Sequence, residues 1–324
     1  MLRSAKFLLM AGLVVTTCYA KVALAQSFPE KPIRIVLPVS AGGGVDAVGR
    51  LVAQELSSAL SQPVIVDHRP GAGGNIAAQI VAKATSDGYT LLLATASHAI
   101  NPSLYKNLGY DPIKDFTPIT KLSVQPYLFV VPAQFPAQDV KGFVAAAKGR
   151  KGGVTYASVG AGLLSHLGME LLKSMAKFEA VHVAYKGAAP ALVDMIAGRV
   201  DAFLPTITSS LSHVKSGRLR AIAVTSDRRV ALLPDVGTVA EQGFPGYEVI
   251  SWYALLGPAN IPKPVIEILN TQTVKILKSP ETHTRMGATG AEPESSTPKG
   301  LEKYIVSESQ RWSKVIKEAG ITAQ

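Results

Sequence analysis

With 47% hydrophobic and only 17% charged residues in 324, the chain has the composition of a packed globular protein, and about 300 residues after loss of a leader suit two lobes better than one core. The formal charge of +10 comes from cations scattered singly, without a basic block or interleaved aromatics, which argues against nucleic-acid binding and favours capture of anions. Arg3 and Lys6, the apolar run 7–20 and the small-residue pattern Ala23-Leu24-Ala25 form the three parts of a cleaved secretory signal over 1–25, with Gln26 first in the mature chain. The apolar run is too short for a bilayer span and Lys21 interrupts it, so no stable membrane insertion is expected. Loss of Arg3, Lys6 and Lys21 takes the charge from +10 to +7. Cys18, the one cysteine, goes with the signal. Val15-Thr16-Thr17-Cys18 is similar to a lipoprotein attachment site, but Thr17 is bulkier than such sites usually tolerate. A mature chain without cysteine excludes disulfides, thiolate metal sites and cysteine nucleophiles.

From Lys31 onward, short β-branched runs alternate with longer amphipathic stretches, which predicts βαβ units on mostly parallel sheets. Strands are expected at 33–39, 63–67 and 90–95 and helices at 45–60 and 75–84, enough for one α/β lobe. The segment 111–123 reads as turn-rich. After Gln125-Pro126 the pattern restarts, with strands at 127–132, 154–158, 180–185, 200–205 and 219–225 and helices at 139–149, 163–175 and 188–197, a set that needs its own sheet. Leu233-Pro234-Asp235 and 243–247 are too rich in Pro and Gly for regular structure. A strand at 251–257 and helices at 264–277 and 301–319 complete the chain.

Two strand-to-helix turns, one per lobe, share a composition: Ser40-Ala41-Gly42-Gly43-Gly44 and Ser158-Val159-Gly160-Ala161-Gly162. Glycine admits a ligand close to the backbone, and the first amides of the following helix are unpaired, so each turn is a candidate anion site; the alternative is a plain tight turn. No Gly-Lys-Ser/Thr follows either turn, which excludes a phosphate-binding P-loop, and dinucleotide spacing is absent too. A carboxylate held by main-chain amides and hydroxyls stays reversible. Thr95-Ala96-Ser97-His98 and Asn101 sit at the same sheet end, where ligands of open α/β sheets bind.

Catalytic readings are weaker. Ser158, His166 and Asp201 can be written as a triad, but no nucleophile elbow surrounds the serine. His166 and Glu170 are one helical turn apart without further metal-spaced ligands, so neither metal nor cofactor is expected. Asp46 reads as a first-turn helix charge. Lys186 either neutralises a second carboxylate or is solvated, and Trp252 with Tyr253 either line a cleft or cover a hinge.

At Pro38-Val39-Ser40-Ala41-Gly42-Gly43-Gly44 with Asp46 and Arg50, Arg69-Pro70-Gly71-Ala72-Gly73-Gly74-Asn75, Asn101-Pro102-Ser103-Leu104-Tyr105, Tyr185-Lys186-Gly187-Ala188-Ala189-Pro190 and Leu233-Pro234-Asp235-Val236, the sequence resembles the Bug family of extracytoplasmic receptors of tripartite tricarboxylate transporters. The resemblance covers nearly the whole mature chain. It implies a type II periplasmic-binding-protein-like Venus flytrap: two α/β lobes, 26–123 with 251–324 and 124–250, joined by two crossing strands near 123–126 and 250–252. It implies a periplasmic solute receptor, not an enzyme, monomeric, handing a small carboxylate (a di- or tricarboxylate, an acidic amino acid or an aromatic acid) to integral membrane transporter subunits. Signalling to a membrane sensor kinase is the alternative use of the same closure. Carried over by position, the ligand residues are Ser40, Ala41, Gly42 and Gly43 with Thr95 and Ser97 from the first lobe, and Ser158, Gly160, Ala161, Gly162, His166 and Lys186 from the second. The chain departs from the family pattern at Val39, where an aromatic often stands, and at Ala184, where a proline commonly precedes Tyr-Lys-Gly.

Overall fold

Alternation of Ile33, Ile35 and Leu37 with Val36 sends side chains to both faces of a strand buried on both, so β1 (Ile33–Leu37) has to lie inside a sheet covered by helices. In the computed structural model, which describes residues 28–322, it does; the signal over 1–25, with Cys18, lies outside the described residues. β1 pairs in parallel with β2 (Val64–His68) and β3 (Thr90–Thr95). Helices α1 (Gly44–Leu60), α2 (Asn75–Ala82) and α3 (Ser97–Leu104) follow the three strands. Two long antiparallel strands complete the sheet, β4 (Phe116–Pro126) and β10 (Ile250–Pro258), with the two-residue β11 (Glu292–Pro293) at the edge. The order is β11-β4-β10-β3-β1-β2.

The second sheet repeats the plan. β6 (Val154–Ser158), β7 (Ala180–Ala184) and β8 (Ala202–Phe203) are parallel, and β5 (Leu128–Pro132) and β9 (Leu219–Val224) antiparallel, in the order β7-β6-β8-β5-β9. Its helices are α4 (Val140–Gly149), α5 (Leu164–Ala176), α6 (Ala188–Ile196) and α7 (Ile207–Lys215). In each lobe the third parallel strand is flanked by a strand arriving from the other lobe: β10 beside β3, and β5 beside β8. The expected two-lobed flytrap is therefore present, with mixed sheets in place of mostly parallel ones, because each crossing strand runs against its neighbours.

The chain crosses first at Pro126-Tyr127, between β4 and β5, and returns at Val249-Ile250. Thr225 clasps both crossings: its amide donates to Tyr127 O at 3.0 Å, and its hydroxyl accepts from Tyr127 N at 2.8 Å and donates to Val249 O at 2.6 Å. The last helices, α8 (Lys263–Leu277), α9 (Pro280–Gly287) and α10 (Pro298–Ala319), pack on the first lobe, with α8 and α9 against α1. α10 lies on α3 and β4 and reaches across to α5 of the second lobe. Trp252 is fully buried on the returning strand; its indole N–H and that of Trp312 both point at the carboxylate of Glu308, at 3.4 and 3.0 Å.

Candidate functional site

The first turn stands at the carboxyl end of β1, where hydrophobic alternation stops at Leu37 and Pro38 ends the ladder. Ser40, Ala41, Gly42 and Gly43 are solvent-exposed, and Gly43 caps α1 without any side-chain hydrogen bond, so the opening amides of that helix face outward uncapped. Gly42 sits at φ +98, a conformation that disfavours a side chain. Its amide donates to Asp46 Oδ2 at 2.8 Å, and the same carboxylate takes His68 at 2.6 Å and Arg50 at 2.9 Å. Burial pushes the Asp46 carboxyl up, but the Gly42 amide, His68 and Arg50 outweigh it and pull it down to about 2. Asp46 is thus more than a helix-dipole charge: it fastens the turn and occupies one of its amides.

Thr95 and Ser97 lie beside this turn, half-buried, in a small pocket shared with Pro38, Gly74 and His98. The segment 71–75 buttresses that pocket: Asn101 donates to Gly73 O at 3.0 Å and to Asn75 Oδ1 at 2.7 Å, and Tyr110 donates to the same Asn75 oxygen. His98 is buried with Nε2 on Pro112 O at 2.8 Å and Nδ1 without a partner. Burial lowers it to about 4 against the pull of that carbonyl, which keeps the ring neutral with its proton on Nε2. The Tyr253 hydroxyl donates to Gln125 at 2.8 Å beneath Gly44, while Trp252 is fully buried in the core and neither lines a cleft nor covers a hinge.

The second turn follows β6. Ser158 is buried, Gly160 half-buried, Ala161 exposed and Gly162 buried against Leu104 of α3 in the other lobe. Three of its amides are already engaged: Val159 with Ser165 Oγ at 3.1 Å, Gly160 with Ser158 Oγ at 3.1 Å, and Gly162 with His166 Nδ1 at 3.0 Å. What remains exposed is Ala161; the start of α5 has no side-chain cap, and Leu164 and Ser165 there are buried. His166 is 6% exposed, so its ring supports the turn from below. The ring stacks on His182 of β7 at 3.8 Å between centroids, and His182 Nε2 lies 2.6 Å from Ser158 Oγ. Lys186 is exposed beyond β7, where Tyr185 N donates to Ser158 O and draws the two turns of this lobe together.

His182 is the site residue that sequence reasoning missed; its signal is a register, since Tyr156 pairs with His182 and Ser158 with Ala184. The Ser158, His166 and Asp201 triad is dispersed. Asp201 is taken by Arg150 at 2.9 Å and Thr155 at 2.8 Å, toward the opposite end of β6. His166 Nε2 lies 4.0 Å from Glu170, whose carboxylate is taken by Tyr156 and Lys173, and no group of three potential metal ligands occurs among the described residues.

A family model described as the tripartite tricarboxylate transporter family receptor matches residues 48–321. The protein BugT of Bordetella pertussis is 33% identical over 97% of this chain and 98% of its own length. Among solved structures, R. palustris Rpa4515 with adipate is 36% identical, with a TM-score of 0.77 over 92% of this chain and 100% of that one. MatC from Rhodopseudomonas palustris with bound malate is 30% identical, with a TM-score of 0.70 over 89% of this chain and 100% of that one. No described helix is long and apolar enough to cross a membrane.

Proposed function

The chain belongs to the tripartite tricarboxylate transporter receptor family, and from that premise we propose that it captures a small carboxylate in the periplasm and delivers it to the membrane subunits of such a transporter. As a family member it is a solute-binding receptor and not an enzyme. The observation that carries the carboxylate reading is the pair of uncapped helix starts, α1 and α5, each following a glycine turn at the carboxyl end of a parallel strand, one per lobe. Such ends stabilise negative charge through main-chain amides. That Rpa4515 and MatC were solved with adipate and malate supports the same class. The residues proposed to meet the ligand are Ser40, Ala41, Gly43, Thr95 and Ser97 opposite Ala161 and Lys186. Gly42, Ser158, Gly160, Gly162 and His166 hold the turns in shape. The lobe division that accompanies this reading is 26–123 with 251–324 against 124–250, with 124–126 and Ile250 on the paired strands that lead from one lobe to the other.

A thermal-shift screen of aliphatic and aromatic mono-, di- and tricarboxylates tests it. A true ligand at a hundred times its Kd stabilises the fold by about 2.7 kcal/mol. A flat response across the panel at millimolar concentration rules the reading out.

A further inference from the structure

The second turn rests on two stacked imidazoles, and each makes one hydrogen bond to it. His166 Nδ1 accepts from Gly162 N at 3.0 Å, and His182 Nε2 meets Ser158 Oγ at 2.6 Å, with the rings 3.8 Å apart and 7° from parallel. An amide N–H can only donate, so His166 Nδ1 carries no proton in this arrangement and the ring's proton sits on Nε2. Protonating Nδ1 would set two donors against each other at 3.0 Å. We propose that His166 and His182 are the positioning residues of the ligand-facing turn 158–163, and that protonation of His166 undocks Gly162 from its support.

The groups facing the pair come from three elements: Tyr156 on β6, Glu170 and Lys173 on α5, and the two rings themselves on α5 and β7. From α10, Glu318 meets Ser174 at 3.1 Å, two turns further along α5, and pairs with Lys314 of its own helix. Glu170 favours a charged His166 from 4.0 Å, but its oxygens are already engaged by Tyr156 and Lys173, and Lys173 opposes the charge. Burial, then the neighbouring His182, brings His166 down to about 4, and burial lowers His182 as well. The pair is therefore neutral near neutral pH and yields in acid. Gly162 also lies so near Leu104 of the other lobe that no side chain fits between them unless the leucine shifts, so a turn released from His166 changes the contact between the lobes as well as the direction of its amides. Ligand affinity then falls as the pH drops from neutral toward about 4.

The test pairs His166→Asn, whose Oδ1 stands where Nδ1 accepts and cannot be protonated, with His182→Gln, whose terminal amide stands where Nε2 lies. In purified protein labelled with nitrogen-15 glycine, the Gly162 amide resonance follows the His166 ring titration in the wild type and is flat in H166N. H182Q moves the midpoint upward, because the neighbouring charge is gone. A Gly162 resonance that ignores the His166 titration, or a titration that persists in H166N, overturns the proposal; so does an unmoved midpoint in H182Q. A binding arm, resting on the receptor reading above, uses adipate as probe. Protonation of adipate itself weakens binding to both proteins in acid; beyond that common loss, wild-type affinity falls up to about tenfold further than that of H166N, the equivalent of one hydrogen bond. Parallel loss in both proteins overturns it. Failure of adipate to bind at any pH weakens the receptor reading, and the amide titration still decides this one.

Discussion

Glu308 joins both tryptophans of the chain to one carboxylate, which makes Glu308→Ala a sharp perturbation of the packing of α10 on the returning strand β10. Trp312 donates at 3.0 Å, an ordinary bond, and Trp252 at 3.4 Å, a long one. Both indoles are fully buried, so neither finds water when the acceptor goes. A stranded buried donor costs about 1–3 kcal/mol, and weighting the long bond to the low end gives a loss of about 2–4 kcal/mol. Against a total stability of about 5–15 kcal/mol that is a large fraction. Arg311, which stacks over the Trp312 ring and pairs with Glu308 at 3.4 Å, loses a partner too. The assay is guanidinium denaturation followed by tryptophan emission, in which every emitter is an affected residue. Glu308→Gln keeps an acceptor oxygen and recovers most of the loss. A drop below about 1 kcal/mol for E308A, or equal damage from E308Q, would refute the assignment of these two bonds as net stabilising.

The other predictions follow from the turns and the lobe contacts. The Asp46 carboxyl is held near about 2 against an ordinary 3.8, so its stabilisation is complete above about pH 4 and is lost as the pH falls toward 2. Asp46→Asn flattens that part of the acid-unfolding curve and, by loosening Gly42, weakens carboxylate binding in calorimetry. Gly162→Ala puts a Cβ 2.6 Å from Leu104 Cδ1 at φ +74. The leucine end can give, so backbone strain of about 1–2 kcal/mol dominates, and adding Leu104→Ala does not restore the melting temperature. Arg228 and Glu292 pair across the lobes at 3.5 Å with side chains 70% and 45% exposed, so Arg228→Ala shifts stability by less than about 1 kcal/mol in urea titration.

Much of this architecture was legible because its signals are local. β1 and β6 show in runs with β-branched residues, β3 in a short apolar run, and both glycine turns in composition. β4 did not: Pro118, Lys121, Gln125 and Pro126 read as turn, yet 116–126 is a strand, because its burial is set by distant partners. Lys121 lies 3.5 Å from the Tyr304 ring centroid and 2.8 Å from Glu294, neither predictable from its neighbours. The helices α3, α7 and α9 were missed for a related reason. α3 carries Pro102 inside it, α9 opens on Pro280, and α7 is mostly polar and β-branched, so packing overrides weak propensity in each. For the site, the sequence located the turns but not their wiring. That Gly42 is bound by Asp46 and Gly162 by His166 depends on side-chain direction, and the His166–His182 stack depends on strand register.

The same wiring bears on how the lobes can move. At the last rung of β4, Pro126 pairs with Ile250, and proline offers no N–H there, so the ladder weakens where the chain leaves the first sheet. β10 also shifts register against β4 at Tyr253/Ala254 and Leu255/Leu256, irregularities that increase the local twist of this pair. Thr225 holds the two crossings to each other on the far side, so they must turn as a unit. Relative rotation of the lobes is thereby confined to the short span between the Pro126 rung and the Thr225 clasp. α10, seated on α3 and β4 but touching α5, has to slide over α5 during any such rotation. That contact joins the helix carrying His166 to the helix carrying Glu308, so the support of the second turn and the anchorage of both tryptophans meet at one contact between the lobes.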